Sequence, residues 1–263
     1  MVDRGVAQAV AQVAREAGQM ALARWRTDVA GHAKADGSPV CEVDFDVDRF
    51  LRARLTALLP DSGWLSEETA DGPDRLARER VWIVDPIDGT RDYVRGRRGW
   101  CMSVALVERG RPVIAVLDAP ALGEVWCAAA GGGAMLNGAP IRASGRLDLA
   151  GARVPADALA KADRDLFVTV EKPNSIALRI AMVAAGRADL VATLRWGNEW
   201  DIAAAALIAM EAGAVVTDAL GRPLAFNQPQ PRAFGVLASA RGIHAAAVVQ
   251  LGGRAKVAVG VDR

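Results

Sequence analysis

The segment Asp85-Pro-Ile-Asp88-Gly-Thr90 constrains this chain more than any other, and it follows directly on four apolar residues. A short apolar run that stops abruptly at polar residues is typical of a buried strand whose end meets a site. Pro86 fixes φ and removes a backbone donor, and Gly89 permits a tight turn. The carboxylates of Asp85 and Asp88 can therefore converge on one point.

Two carboxylates on a rigid turn suit a hard cation. Mg²⁺ prefers oxygen ligands, and the main-chain carbonyl of Ile87 could complete a set begun by Asp85 and Asp88. The hydroxyl of Thr90 lies just beyond this turn. The alternative is an acidic turn capped by its own side chains, which is the commoner reading of an isolated Asp-Pro pair.

Four further acids lie where they could join such a site. Glu67 and Glu68 follow a short apolar segment, whereas Asp44 and Asp201 stand at the starts of two expected helices. Each has an ordinary alternative, because Asp is common at helix N-caps and the two glutamates could be a solvated pair. Buried acids that converge repel one another unless cations or protons neutralise them. Two or three Mg²⁺ ions would do so.

The periodicity of the chain predicts an α/β (α+β) architecture with several layers. Helices are expected near 6–25, 43–59, 175–185, 200–212 and 244–251. Strands are expected near 63–66, 81–84, 101–108, 112–117, 124–128, 167–170, 189–193, 215–217 and 235–238, and a turn-rich loop near 34–39. A Gly-, Ala- and Asp-rich stretch suggests two halves, 1–144 with most of the acids and 145–263 with Asp201.

Charge and composition exclude several classes of protein. The 263 residues include 32 Lys plus Arg against 31 Asp plus Glu, whereas a dedicated nucleic-acid binder carries a basic excess. Three cysteines without CxxC spacing argue against a disulfide framework, and two histidines are few for an imidazole site. The sequence shows no signal peptide and no apolar run near the roughly 18 residues of a membrane span. We expect a cytoplasmic protein with neither nucleic acid nor membrane as partner.

The acidic motifs resemble those of the inositol monophosphatase superfamily. The resemblance rests on Trp82-Ile-Val-Asp85-Pro-Ile-Asp88-Gly-Thr90, with Leu65-Ser-Glu67-Glu68 before it and Trp200-Asp201-Ile-Ala-Ala204 and Glu211-Ala-Gly213 after it. It covers the chain from the first helix to about residue 251. It implies a five-layer αβαβα sandwich, Mg²⁺-dependent and lithium-sensitive hydrolysis of a small-molecule phosphate ester, and a homodimer.

The resemblance also implies a role for each acid. Glu67, Asp85 and the Ile87 carbonyl would bind one Mg²⁺, Asp85, Asp88 and Asp201 a second, and Glu67 with Asp44 a third. Gly89 and Thr90 would bind the substrate phosphate through backbone N–H and hydroxyl groups. Asp44, Glu67 and Thr90 would act catalytically by orienting the attacking water or accepting its proton.

The substrate is indicated by the second half of the chain. The stretch Glu199-Trp-Asp201 and residues 221–227 resemble bacterial CysQ-type 3′(2′),5′-bisphosphate nucleotidases, which favours 3′-phosphoadenosine 5′-phosphate as substrate. Lys172 and Arg195 could then reach a second phosphate, although surface charge explains both equally well. Ser175 and Glu199 complete the candidate substrate contacts. The alternatives are an inositol-1-monophosphatase, a histidinol or sugar phosphate phosphatase, and a catalytically silent regulatory protein of the same fold.

Overall fold

The computed structural model describes residues 4–27, 31–33 and 39–261. Its helices are α1 (Arg4–Arg24), α2 (Glu42–Leu58), α3 (Thr90–Val94), α4 (Ile176–Ala184), α5 (Glu199–Glu211) and α6 (His244–Val261). The predicted loop at 34–39 lies almost wholly outside the described residues. Within these ranges, no helix is both long enough and apolar enough to cross a membrane.

The strands of the described residues fall into five sheets. They are β1 (Gly31–Ala33), β2 (Pro39–Cys41), β3 (Gly63–Ser66), β4 (Arg80–Asp88), β5 (Cys101–Glu108), β6 (Arg111–Ala119), β7 (Glu124–Ala129), β8 (Gly133–Leu136), β9 (Ala139–Pro140), β10 (Ala152–Pro155), β11 (Phe167–Val170), β12 (Leu190–Ala192), β13 (Trp196–Asn198), β14 (Val215–Thr217), β15 (Arg232–Phe234) and β16 (Leu237–Ser239). Most predicted elements are confirmed within a few residues.

A seven-stranded sheet, ordered β3-β4-β5-β6-β7-β8-β9, forms the centre of the molecule. Strand β3 runs parallel to β4, and every other neighbouring pair is antiparallel. The two-residue turn Asn137-Gly138 joins β8 to β9 with φ values of 50° and 79°. Positive φ at both positions is the geometry that matches the twist of a hairpin, and Asn-Gly adopts it at low cost.

Helices cover both faces of this sheet. On one face, α1 and α2 pack their apolar stripes against alternate residues of the strands, including Trp82, Val84, Ile114 and Val116. On the other face, α4 and α5 pack against the intervening residues. Helix α5 is apolar nearly all round because it is covered on two sides, by the central sheet and by further strands.

A second sheet, ordered β12-β16-β14, closes the other side of α4 and α5. Val191, Val216 and Ala238 of this sheet join the same apolar cluster as α5, whereas Leu190 and Leu237 face α6. The order of layers is therefore α1/α2, seven-stranded sheet, α4/α5, three-stranded sheet and α6. This is the expected five-layer αβαβα sandwich. One apolar cluster crosses residue 145, and the division into two halves there stays a prediction.

Several elements differ from the sequence-based expectation. Strand β4 continues through Asp88 instead of stopping at residue 84, and α6 extends to residue 261 instead of 251. The antiparallel pair β13 and β15 was not predicted, because three-residue strands that contain Gly197 and Asn198 carry little periodicity.

Asp118 is a buried acid that lies outside the acidic motifs described above. Its side chain is 3% exposed on β6, beneath α1, and its Oδ2 has no hydrogen-bond partner. A Cβ atom on Gly18 would lie 1.7 Å from that oxygen, so only glycine leaves room for the carboxyl there. Burial raises the pKa of Asp118 to about 7, against the opposing charge of Arg15.

We expect Asp118→Asn to remove part of the pH dependence of stability. The folded wild type keeps its proton on Asp118 up to a pH near 7, whereas the unfolded chain releases it near 4, so wild-type stability falls as pH rises between these values. The variant should gain relative to wild type by at most about 1.4 kcal/mol per pH unit in that window. Urea unfolding at pH 5, 6, 7 and 8 measures this difference; a constant difference would contradict the assignment.

Candidate active site

The acidic segment converges because β4 contains a bulge. Asp85 pairs with Ser103 and Asp88 with Cys101, so β4 has one more residue than β5 between these pairs. In a regular strand, residues three positions apart point to opposite faces, and the extra residue returns Asp88 to the face of Asp85. Pro86 fits here because a bulge does not require its missing N–H. Both carboxylates therefore face α4 and α5.

Asp44 and Asp201 reach the same region from two helix starts. Neither is the N-cap, which corrects the alternative raised from sequence, because Cys41 and Asn198 occupy those positions. Each aspartate is the third helical residue and accepts the N-cap backbone N–H, at 2.9 Å for Asp44 and 3.1 Å for Asp201. This hydrogen bond holds one carboxylate oxygen, Oδ2, and fixes the side-chain orientation.

Three acids from three segments form the most compact group. One oxygen each from Glu67, Asp85 and Asp201 lies within 4.8 Å of the others. Glu67 follows β3, and its backbone N–H donates to the carbonyl of Val84 at 3.3 Å. The parallel pairing of β3 with β4 thus brings the end of one strand beside the acidic segment of the next.

The electrostatics of this group require neutralisation. Burial, followed by the charges of Glu67, Asp88, Asp201 and Asp44, raises the pKa of Asp85 well above its usual value. Burial raises the pKa of Asp88 to about 6, against hydrogen bonds from Ser175 and Ala177. Burial and the charges of Asp88 and Glu67 raise the pKa of Asp201 to about 8. Protons or cations must therefore offset the charge at neutral pH.

The donor set fits a hard divalent cation. The group offers carboxylate oxygens, which Mg²⁺ and similar cations prefer, and the sequence resemblance adds the main-chain carbonyl of Ile87. That carbonyl accepts the Thr90 hydroxyl at 3.0 Å and keeps a second lone pair. Thr90 Oγ1 also lies 3.5 Å from Asp44 Oδ1. Thr90 and Asp44 are therefore placed to share a proton.

Gly89 makes the turn between β4 and α3. It adopts a left-handed φ of 97°, and a Cβ there would lie 2.7 Å from the Gly99 carbonyl oxygen and 3.0 Å from the Ser175 nitrogen. The turn directs the first residues of α3, beginning with Thr90, to the edge of the acidic group. The structure therefore explains why this position needs glycine.

The start of α4 holds Asp88 in place. Ser175 donates its hydroxyl, at 2.5 Å, and Ala177 its backbone N–H, at 2.7 Å, to Asp88 Oδ2. The backbone N–H of Ser175 donates to the Gly99 carbonyl at 3.0 Å. Ser175 therefore contacts Asp88 and Gly99, and its expected backbone contact with substrate stays a prediction.

The remaining residues that were predicted to bind substrate lie at three different places in the structure. Arg195 lines a cleft together with Asp201, Gly197 and Gly235. Lys172 pairs with Asp157 and lines a different cleft, beside Arg97 and Asn174. Glu199 is buried, and its two carboxylate oxygens accept the backbone N–H groups of Asn227 and Gln228 at 2.6 and 3.0 Å. Both oxygens of Glu199 thus bind a loop, and its expected contact with substrate stays a prediction.

Sequence reasoning missed Arg179, a half-buried residue of α4. Its guanidinium donates to the carbonyls of Pro173 and Asn174 at 2.8 and 2.6 Å, and its charge opposes the burial-driven rise in the pKa of Asp88. It thereby shapes the segment that precedes Ser175. A single arginine in an otherwise apolar helix was the available signal, but it did not indicate which way the side chain points.

Comparison with known sequences places the chain among phosphatases. The model of the inositol monophosphatase family matches residues 3–254. "Inositol monophosphatase 2" of Solanum lycopersicum is 35% identical over 199 residues, which are 69% of this chain and 75% of that protein. "3′(2′),5′-bisphosphate nucleotidase CysQ" of Aggregatibacter actinomycetemcomitans is 31% identical over 234 residues, 84% of this chain and 87% of that protein.

Comparison with solved structures agrees. The Thermotoga maritima IMPase superposes with a TM-score of 0.80 at 30% sequence identity, over 94% of this chain and 97% of that one. The match spans all five layers, so the arrangement of helices and sheets described above is that of a known fold.

Proposed function

Because this chain belongs to the inositol monophosphatase family of phosphoric monoester hydrolases, we propose that it is a 3′(2′),5′-bisphosphate nucleotidase acting on 3′-phosphoadenosine 5′-phosphate. The observation that carries the choice of substrate is the position of Arg195, which lines the same cleft as Asp201. The charge of Arg195 lowers the pKa of Asp201 against the effect of burial, so the two groups interact.

The acids of the site would hold the cations that the reaction needs. Glu67, Asp85, Asp88, Asp201 and the Ile87 carbonyl would bind two to three Mg²⁺, with Asp44 beside them. Bound Mg²⁺ supplies Lewis acidity, which lowers the pKa of a water and neutralises charge on the phosphoryl and leaving oxygens. Inhibition by lithium and a homodimer remain part of this proposal.

The residues of this chain then position the reactants. The hydroxyl of Thr90 and the carboxylate of Asp44 stand close enough to orient an attacking water and take up its proton. The backbone N–H groups at Gly89 and Thr90 would bind the phosphate that is cleaved. No protein nucleophile is required, because phosphoryl transfer depends mainly on positioning and charge neutralisation.

A second phosphate on the substrate fits the cleft beside Asp201. A guanidinium binds a phosphate through charge-assisted, two-pronged hydrogen bonds. Arg195 is exposed and has no ion pair with any acid in the described ranges. An inositol ring, which presents hydroxyls, would gain less from a cation at this position. The geometry therefore favours a bisphosphorylated substrate over an inositol monophosphate.

We expect the wild type to prefer 3′-phosphoadenosine 5′-phosphate to inositol-1-phosphate, and Arg195→Gln to reduce that preference. Loss of a charged hydrogen bond worth about 1.5–3 kcal/mol lowers kcat/KM for the bisphosphate by roughly 10- to 100-fold. The value for inositol-1-phosphate should change by less than about 3-fold. Release of inorganic phosphate from both esters with Mg²⁺ measures these values.

Arg80→Gln is the matched control, because Arg80 lies on β4 but pairs with Glu108 at the surface. Preference of the wild type for the inositol ester would contradict the choice of substrate. No turnover of either ester by folded protein with Mg²⁺ would instead favour the silent regulatory protein.

A further inference from the structure

Arg75 is a buried arginine in the short helical turn that follows the Glu67 segment. It is 3% exposed, and its guanidinium uses both edges. One edge donates to the two carboxylate oxygens of Asp71 at 2.6 and 2.8 Å. The other donates to the side-chain oxygen of Asn227 at 2.6 Å and to the carbonyl of Gln228 at 2.9 Å. A loop 152 residues away in sequence is therefore fixed to this turn.

The same loop is bound from its other side by Glu199. Both oxygens of this buried carboxylate accept N–H groups of Asn227 and Gln228. Asn227 adopts a left-handed φ of 58°, which lets two successive N–H groups point to one carboxylate. The loop thus presents carbonyl and amide oxygens to the arginine and N–H groups to the glutamate.

Arg75, the Asn227-Gln228 loop and Glu199 form one connection, and each end of it is attached to a segment that carries an acid of the site. Glu199 is the first residue of α5, two positions before Asp201. At the other end, the backbone of Arg75 packs against Gly63, where a Cβ would lie 3.1 Å from the Arg75 Cα. Gly63 begins β3, which ends one residue before Glu67. Glu67 and Asp201 stand on different segments of the chain, which also meet where α5 packs on the central sheet and Ser103 donates to the Trp200 carbonyl at 3.2 Å.

We propose that Arg75 is a positioning residue which, through the Asn227-Gln228 loop and Glu199, sets the separation of the Glu67 and Asp201 carboxylates for cation binding. This inference rests on the cation site of the proposed function. Arg75 itself does not belong to the compact group of acids. Its effect is mechanical: together with the packing of α5 on the central sheet, the guanidinium and the loop hold the β3 end and the α5 start relative to each other.

The planar shape of the guanidinium is essential to this role. Four hydrogen bonds leave Arg75 in two directions within one plane, and an ammonium group cannot reproduce that fork. Arg75→Lys keeps the charge and most of the apolar stem, so its defect reports the lost geometry. Partners that orient the ligands of a cation are typically worth roughly 10- to 100-fold in affinity.

The test measures cation binding directly, with Mn²⁺ as a probe followed by electron paramagnetic resonance, in the full chain without substrate. We expect Arg75→Lys to weaken Mn²⁺ binding by at least about 10-fold. At saturating Mg²⁺ the phosphatase kcat should stay within about 3-fold of wild type, because the residues that contact substrate are unchanged.

Arg153→Lys is the matched control. Arg153 also binds a buried acid, Asp189, through two guanidinium nitrogens, and Asp189 lies outside the compact group of acids. This control should keep wild-type Mn²⁺ affinity and, because the Arg153 side chain is 38% exposed against 2% for Arg75, lose less stability. Equal Mn²⁺ affinity in Arg75→Lys and wild type, or an equal loss in both variants, would overturn the inference.

Asn227→Gly decides the matter if Arg75→Lys does not fold. Glycine keeps the left-handed backbone and the N–H groups that bind Glu199, and removes only the amide that meets Arg75. We expect Mn²⁺ binding to weaken by about 3-fold or more, and an unchanged affinity would overturn the inference. A wild type that binds no Mn²⁺ would instead defeat the cation site of the proposed function, so the two failures are distinguishable.

Discussion

Asp85→Asn should abolish nearly all phosphatase activity while making the cation-free protein more stable. Asp85 is 2% exposed and belongs to the compact group with Glu67 and Asp201. Its loss removes a carboxylate shared by two expected cations. Cation-assisted stabilisation of a phosphoryl-transfer transition state is worth several kcal/mol, so kcat/KM should fall on the order of 10³-fold.

The gain in stability follows from the pKa of Asp85, which burial and neighbouring acids raise. A group with a raised folded-state pKa stabilises the fold at low pH, and that contribution is lost as pH rises toward the folded pKa. Without cations, wild-type stability should therefore fall from about pH 4 upward. The Asn variant should lose less over the same interval, and added Mg²⁺ should stabilise the wild type much more than the variant.

Asp118→Asn is the matched control for this prediction. Asp118 is another buried strand aspartate with a raised pKa, but burial alone causes the rise and no other acid contributes. This control should also flatten the dependence of stability on pH, yet keep wild-type activity. Asp85→Asn with activity near that of the wild type at low Mg²⁺ would show that the assignment of the acidic group is wrong.

The sequence indicated the acids of the site better than it indicated the substrate contacts. Asp85 and Asp88 could be recognised from sequence because Pro86 and Gly89, which shape the turn around them, lie in the same six-residue segment. Asp44, Glu67 and Asp201 were found through motifs whose order along the chain is diagnostic. Periodicity indicated a layered α/β architecture and a buried α5, whereas the five-layer sandwich was implied by the resemblance.

Two buried charged residues whose contacts the sequence did not indicate depend on distant partners. Glu199 was expected to bind substrate because it precedes Trp200 and Asp201, but its carboxylate bonds lie 28 and 29 residues further along. Arg75 lies in a polar stretch that reads as an ordinary loop, and its partner Asn227 is 152 residues away. Local pattern cannot reveal which buried charges face each other across two segments.

Gly89→Ala should impair both folding and catalysis. An added Cβ would lie 2.7 Å from the Gly99 carbonyl oxygen and 3.0 Å from the Ser175 nitrogen, at a φ of 97°. The left-handed backbone alone costs an L-residue about 1–2 kcal/mol, and relief of the contacts must add to it. Denaturant unfolding should therefore show a loss of more than about 2 kcal/mol.

Catalysis should suffer more than stability because both crowded atoms belong to one hydrogen bond. The Ser175 N–H donates to the Gly99 carbonyl at 3.0 Å, and the Ser175 hydroxyl holds Asp88. An alanine at 89 must push these segments apart, which shifts Asp88 relative to Asp85. A displacement near 1 Å can cost on the order of 10²-fold in rate, and we expect kcat/KM to fall by at least that factor.

Gly123→Ala is the matched control that separates the cost of the left-handed backbone from the cost of the close contacts. Gly123 also has a left-handed φ, of 67°, but a Cβ there meets no atom within 4 Å. This control should lose only the roughly 1–2 kcal/mol that the left-handed backbone costs an L-residue, with kcat/KM unchanged. If Gly89→Ala matched Gly123→Ala in both stability and kcat/KM, close packing at Gly89 would play no part in holding Asp88. If only Gly89→Ala lost activity, the contact between the β4 turn and the start of α4 would be what orients this acid.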